Sequence, residues 1–318
     1  MNPASSRVVA GSGGGTADAL PAAAPSRGAQ PFASGEAQRN HAVTQADMTA
    51  LAASMVPPPP PAWRRALSRL SRLWLLVAFV VAWQLISMYG SAVNPQLDVM
   101  MPPPTAVVSA AADLAARGVL LTHILDSLKR VLLAVGAATL LGVPLGLGMG
   151  WSPRFRSVVD PVLEFIRPIP PLAWIPLSIL WFGIGDLQIV YIIFLAAFFP
   201  IVLNSLAGAR DVDAYLVRAG LSLGASQREL FATVVLPAAL PQIFTGVRIG
   251  LGIGWMALVA GELVAAPSGL GYMINNARTL FRSDYILLGM VLIGALGLAL
   301  DAGMRELTRL TMPWYHGK

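Results

Sequence analysis

Six stretches of this chain are each apolar enough to cross a lipid bilayer as a helix, and that dominates what it can fold into. They lie near 73–89, 131–150, 161–182, 187–206, 243–265 and 286–303. About 20 residues rising 1.5 Å each span a hydrocarbon core, where every backbone N–H and C=O must be satisfied inside its own helix. The expected fold class is therefore all-α: a polytopic membrane bundle of six transmembrane helices. Composition agrees, with 56% of the 318 residues hydrophobic and 12% charged, about half the charged share of a soluble domain. The formal charge of +6 does not point to nucleic acid. Arg and Lys fall between the apolar runs rather than on one basic face, and of the basic residues only Lys129 and Lys318 are lysines.

The basic residues give an orientation. With the N-terminus inside, Arg64, Arg65, Arg69, Arg72, Arg154, Arg156, Arg210, Arg218, Arg228, Arg305, Arg309 and Lys318 fall in cytosolic segments. Arg117, Lys129, Arg130, Arg278 and Arg282 fall outside. Twelve against five satisfies the positive-inside rule and puts both termini and the 207–242 segment in the cytosol. Lys129 and Arg130 then lie at the outer interface, where their side chains are expected to snorkel. The third stretch is irregular, because Arg167-Pro-Ile-Pro-Pro171 removes donors and kinks the helix, so this part must face protein or water. Gly142, Gly146, Gly150 and Gly246, Gly250, Gly254 repeat every four residues. Each set makes one helix face that another backbone can approach closely.

Residues 1–60 form a separate low-complexity region, rich in Ala, Gly, Ser and Pro, with too little apolar surface to offset its ordering entropy. It lacks the basic-then-apolar order of a signal peptide. The Gly11-Ser-Gly-Gly-Gly15 run is followed by no Lys-Ser/Thr, so it is not a phosphate loop. Pro57–Pro61 makes a stiff spacer into the membrane domain, 61–318.

Little here suggests catalysis. The chain has no cysteine, and neither lysine follows a glycine loop. His41, His123 and His316 are far apart, so no zinc pair or triad is apparent, and no cofactor or metal is expected. Ser178 and Ser205 lie in apolar stretches without a histidine beside them. Charges in or beside the spans are the candidates for a translocation path, or else structural pairs. Glu164 and Arg167 lie one helical turn apart and can pair with each other. Arg248 sits within snorkelling reach of the cytosolic face, Glu262 is near the outer face, and Asp301 is near the inner end of the last span. None forms a relay through the bilayer centre, which disfavours a proton-coupled carrier.

The polar break at 207–242 is the remaining signal. Tyr215, Leu216, Ala219, Leu223 and then Leu230, Phe231, Val234, Val235 recur at helical spacing, which predicts two short amphipathic helices hinged at Gly224. An apolar stripe on a cytosolic segment needs a partner to cover it. Arg218-Ala-Gly-Leu-Ser-Leu-Gly224 with Leu236-Pro237 resembles the coupling motif of ABC-importer permeases: Glu-Ala-Ala, three residues, Gly, nine residues, Ile, one residue, Leu-Pro. Ala219, Gly224, Leu236 and Pro237 match, Val234 replaces Ile, and Arg218 and Gly220 depart from Glu and Ala. The resemblance extends over roughly 122–316. Arg167–Pro176, Trp181-Phe-Gly-Ile-Gly185, Thr245–Gly252, Gly261-Glu-Leu-Val-Ala-Ala-Pro-Ser-Gly-Leu-Gly271 and Pro313-Trp-Tyr-His-Gly317 look like the nitrate/sulfonate/taurine branch, most like taurine permeases.

That resemblance implies a type I ABC-importer permease fold with its core at 122–306, in a bacterial inner membrane. It implies a homodimer, two copies of an ABC ATPase subunit, and a periplasmic or lipid-anchored substrate-binding protein. The ATPase would dock on a coupling helix near 213–223, at Tyr215, Leu216, Arg218, Ala219, Gly220, Leu223 and Gly224. The implied cargo is a small organic sulfonate, taurine favoured, with nitrate or aliphatic sulfonates as alternatives. ATP hydrolysis would lie on the separate subunits. A secondary transporter or channel is the rival class. The first would call for inverted repeats and several broken spans, where only the third is broken, and the second would not need a hinged coupling segment.

Overall fold

A computed structural model describes residues 62–94 and 100–312. The 1–60 tail, the proline spacer, the Pro313–Gly317 ending and Lys318 lie outside the described residues. Within them the regular elements are helices: α1 (Ala62–Val93), α2 (Pro104–Ala116), α3 (Val119–Trp151), α4 (Pro153–Ile166), a 3-10 turn (Pro171–Trp174), α5 (Ile175–Phe182) and α6 (Asp186–Arg210). Then come α7 (Ala214–Ser222), α8 (Gln227–Ala265), α9 (Leu270–Thr279) and α10 (Ser283–Thr311).

Helix α6 is the axis of the packing, and both glycine stripes close on it. A Cβ placed on Gly146 of α3 would lie 2.7 Å from Ser205 Cβ, and one on Gly142 would lie 3.1 Å from Ile201. On the other side, a Cβ on Gly246 of α8 would lie 2.7 Å from Asn204 Cβ, and one on Gly250 3.0 Å from the Ala197 carbonyl. Lipid tails are as apolar as leucine, so helices in a bilayer associate through close packing rather than hydrophobic exclusion. The absent side chains at these glycines allow that packing. Ala134, Val135, Ala138, Ile189, Ile193, Ala197, Ile201, Leu251 and Leu258 fill the core between the three helices.

Register fixes the directions. Along α3, Gly142 meets Ile201 and Gly150 meets Ala209, so α3 and α6 run parallel. Along α8, Gly246 meets Asn204, Gly250 meets Ala197 and Gly254 meets Ile193, so α8 runs antiparallel to α6. Two parallel neighbours need a return crossing. Between Trp151 and Asp186 that return is α4, the 3-10 turn and α5, bent by 82°. The bend falls at Arg167–Pro171, where the proline run was expected to break the third stretch.

Four helices, α3, α6, α8 and α10, are each long and apolar enough to cross a membrane, and the bent pair makes up to five. Of α1, the described apolar part is only Val77–Val93. Two short helices, α2 and α9, had no counterpart in the apolar pattern. The Tyr285 hydroxyl of α10 donates to Asp113 of α2, which ties α2 to the bundle.

Helix α8 departs from the expected hinged pair. The segment after Gly224 is not a separate short helix: it runs unbroken from Gln227 into the membrane span. Pro237 did not stop it. A proline lacks an N–H and its ring crowds the carbonyl four residues back, and here the preceding residues Phe231–Val235 widen into a π-helical turn that accommodates it. What remains outside helices α6 and α8 is 211–226, much less than 207–242.

Candidate functional site

Two constellations stand at opposite ends of the bundle. At one end, where α3, α6 and α10 finish, helix α7 is held between two caps. Asp213 accepts from the Tyr215 N–H at 2.8 Å and starts the helix. At its end the Gly224 N–H donates to the Leu221 carbonyl at 3.0 Å and the Ala225 N–H to the Gly220 carbonyl at 3.1 Å. This pairing is a Schellman motif, which puts its C′ residue in the left-handed region. Gly224 has φ +84°, as the hinge reading required. Ser226 and Glu229 then form a capping box that opens α8, with Ser226 N–H to Glu229 Oε2 at 2.7 Å.

Among the described residues nothing covers the stripe on α7. Tyr215 is 77% exposed and Leu223 88%, and Leu216 and Ala219 are exposed too. The opposite face of α7 rests on the start of α8. A Cβ on Gly220 would run into the Leu230 side chain, itself buried, which accounts for Gly where the resembled motif has Ala. Arg218 is exposed.

At the other end lies a buried polar cluster that the sequence reading did not assemble. Arg130, about three turns into α3, is 2% exposed and Glu262 of α8 1% exposed. Arg130 Nη1 donates to Glu262 Oε1 at 2.7 Å and to the Ser268 carbonyl at 2.7 Å. Its Nη2 donates to Asp186 Oδ1 at 2.6 Å and Ser268 Oγ at 3.0 Å, and its Nε to Asp186 Oδ1 at 2.9 Å. All five guanidinium N–H groups are used. The snorkelling expected of Arg130 is therefore wrong, although its neighbour Lys129 is exposed. A carboxylate on either side neutralises the guanidinium and makes burial cheaper than reaching for water.

Glu262 also receives Ser127 Oγ–H at 2.8 Å and the Gly271 N–H at 2.9 Å. The Leu270 N–H donates to Ser127 Oγ at 2.9 Å, and the Gly269 N–H to His123 Nδ1 at 3.0 Å. These are the unsatisfied donors at the start of α9, so the carboxylate stabilises that helix end. Gly269, at φ +112°, and Gly271 leave no room for a Cβ against Glu262. The run Gly261–Gly271 is thus a loop folded over its own glutamate. His123, Ser127, Arg130, Ala134, Ala138, Gly142 and Gly146 follow helical spacing on α3 and are all buried. That shared stripe was the signal available in the sequence for placing His123, Ser127 and Arg130 inside.

The other sequence candidates separate. Glu164 and Arg167 are both exposed and, among the described residues, form no ion pair with each other, although Arg167 keeps helical dihedrals at the end of α4. Arg248 pairs across helices with Asp301 of α10, Nε to Oδ1 at 2.6 Å and Nη2 to Oδ2 at 3.1 Å, and Asp301 also takes Arg305 at 2.9 Å. The Ser178 hydroxyl is turned into the Ile175 carbonyl at 2.7 Å and accepts from Gln188. Among the described residues, no group of three or more metal-ligating side chains forms.

Residues 138–309 match the family model described as "Binding-protein-dependent transport system inner membrane component". The taurine transport system permease protein TauC of Escherichia coli (strain K12) is 41% identical over 264 residues, covering 80% of this chain and 94% of that protein. The aliphatic sulfonates transport permease protein SsuC of the same organism is 36% identical over 80% of this chain and 97% of that one. The nitrate import permease protein NrtB of Synechocystis is 34% identical, covering 60% and 70%. A solved inward-facing structure of the MetNI methionine ABC transporter superposes with a TM-score of 0.51 at 19% identity, covering 61% of this chain and 99% of that chain. At that identity the likeness concerns the fold.

Proposed function

This chain belongs to the inner membrane components of binding-protein-dependent transport systems, in the taurine, sulfonate and nitrate branch of ABC-importer permeases, and on that premise we propose that it carries a small organic sulfonate, taurine favoured, by alternating access. The observation that carries the reading is α7: a helix capped at both ends, with Tyr215, Leu216, Ala219 and Leu223 exposed and met by none of the described residues. Tyr215 is of a residue type that often anchors a partner pocket, and the leucines extend the apolar contact beside it. The partner is an ABC ATPase subunit, two copies serving a homodimer of this chain. If α1 is the first of six spans, both termini and α7 lie in the cytosol and α9 on the outer side, a reading supported by the distribution of Arg and Lys.

ATP-driven closure of the ATPase pair would move the α7 helices and so bias two packings of the bundle, inward-open and outward-open. The link for that motion is the Schellman turn at Gly224 together with the seat of Gly220 on Leu230, which connect α7 to α8 and its stripe on α6. A sulfonate stays anionic at physiological pH, so a fixed unpaired cation along its route would trap it. Among the described residues the buried cation, Arg130, is cancelled by Glu262 and Asp186. That fits a path which must release its anion.

The test is reconstitution of the permease with its ATPase and binding protein in proteoliposomes. Uptake of labelled taurine should require ATP and all three components. Competition by ethanesulfonate or nitrate ranks the alternatives, and nitrate outcompeting taurine would reassign the cargo. Leu216→Asp puts an unpaired charge in the pocket at about 3–5 kcal/mol, so the variant should insert normally and fail to co-purify with the ATPase. Retained association would remove the coupling role from α7.

A further inference from the structure

One left-handed helix end in this protein is occupied by a phenylalanine where the others hold glycine. Helix α9 closes as α7 does, with a Schellman pairing: the Phe281 N–H donates to the Arg278 carbonyl at 3.2 Å and the Arg282 N–H to the Ala277 carbonyl at 2.9 Å. The C′ residue of α7 is Gly224, whereas that of α9 is Phe281, at φ +52°. A bulky residue is disfavoured there, and such positions cluster at functional sites. Burial does not compensate, because Phe281 is 80% exposed and Leu280 beside it 61%. The chain holds an aromatic ring in a strained pose, and among the described residues nothing covers it.

The surroundings suit a protein better than lipid. Phe281 forms one wall of a groove of about 370 Å³ whose other walls include Pro102, Pro103, Arg282 and Asp284. Arg282 pairs with Asp284 at 2.7 Å and lies over the Tyr285 ring. Acyl chains do not fill a groove walled by an ion pair. Arg278 is exposed and, among the described residues, has no carboxylate partner, so the rim carries net positive charge. An apolar tip in a basic rim, on a member of a binding-protein-dependent family, fits an acidic surface with an apolar socket.

We propose that Phe281 and Leu280, ringed by Arg278 and Arg282, are the anchor on which the solute-binding protein docks. This rests on the functional reading above, which places α9 on the outer side. The reconstituted permease–ATPase complex in nanodiscs is titrated with its purified, labelled binding protein. Phe281→Ala should weaken docking about 10-fold or more, and Phe281→Tyr should keep it. Phe281→Gly should weaken docking while raising the thermal midpoint of the complex, since it removes the ring and the strain together. A ring that only packs the fold would lower that midpoint instead. Unchanged docking in the Ala and Gly variants overturns the proposal. So does a lipid-buried ring. The chain is free of cysteine, so Phe281→Cys carries a single bimane label, and quenching by brominated phosphatidylcholine without binding protein would reveal it. A wild-type complex that takes up no substrate with its binding protein overturns the functional reading, and this one with it.

Discussion

Replacing Arg130 with methionine keeps an unbranched apolar stem and removes the charged head, and the structure sets the cost. Glu262 would stay 1% exposed with only Ser127 Oγ–H and the Gly271 N–H facing it. Stripping one partner from a buried pair costs about 3–5 kcal/mol, because the other charge stays uncompensated. Glu262→Gln is milder. Three donors converge on that carboxylate, from Ser127, Arg130 and Gly271, and an amide must turn its own N–H groups toward one of them, at about 1–3 kcal/mol. Arg130→Met with Glu262→Met removes both charges and should be less destabilising than the sum of its single changes by about 1–3 kcal/mol. Asp186, more than half exposed, can turn to water and adds little. The assay is equilibrium unfolding in mixed micelles, followed by tryptophan fluorescence. A loss within about 0.5 kcal/mol for Arg130→Met, the range of ordinary surface changes, would mean the guanidinium reaches water after all. Strict additivity in the double variant would mean the pair does not interact.

Two further outcomes follow from the helix contacts. Gly146→Leu should destabilise by about 1–3 kcal/mol through overpacking, since even a Cβ there falls 2.7 Å from Ser205 Cβ, whereas Gly136→Leu on the same helix, with nothing within 4 Å, should be tolerated; equal losses at both sites in the same unfolding assay would refute the α3–α6 contact. Gly224→Val forces a β-branched residue to φ +84° at about 1–2 kcal/mol and should uncouple ATP hydrolysis from uptake while the spans still insert, so normal coupled uptake in proteoliposomes would refute the hinge.

Much of this architecture was determined by the sequence alone. Backbone groups in a bilayer can be satisfied only within a helix, so apolar runs had to become helices. The proline run had to bend the third one, and the two glycine stripes had to mark close contacts, because each is a local property read at helical spacing. Gly224 was legible for the same reason: a stripe that stops and restarts needs a left-handed residue between. Only the tertiary structure decided that both stripes meet one helix, α6, from opposite sides. It also decided that Arg130 turns inward, because the carboxylates that neutralise it lie on α6 and α8, 56 and 132 residues away. No local pattern distinguishes a snorkelling arginine from a buried one when its partners are that distant. The continuous α8 was hidden likewise, since a π turn that accommodates Pro237 depends on the packing around it. The left-handed Phe281 runs against what its residue type prefers, so composition could not have revealed it.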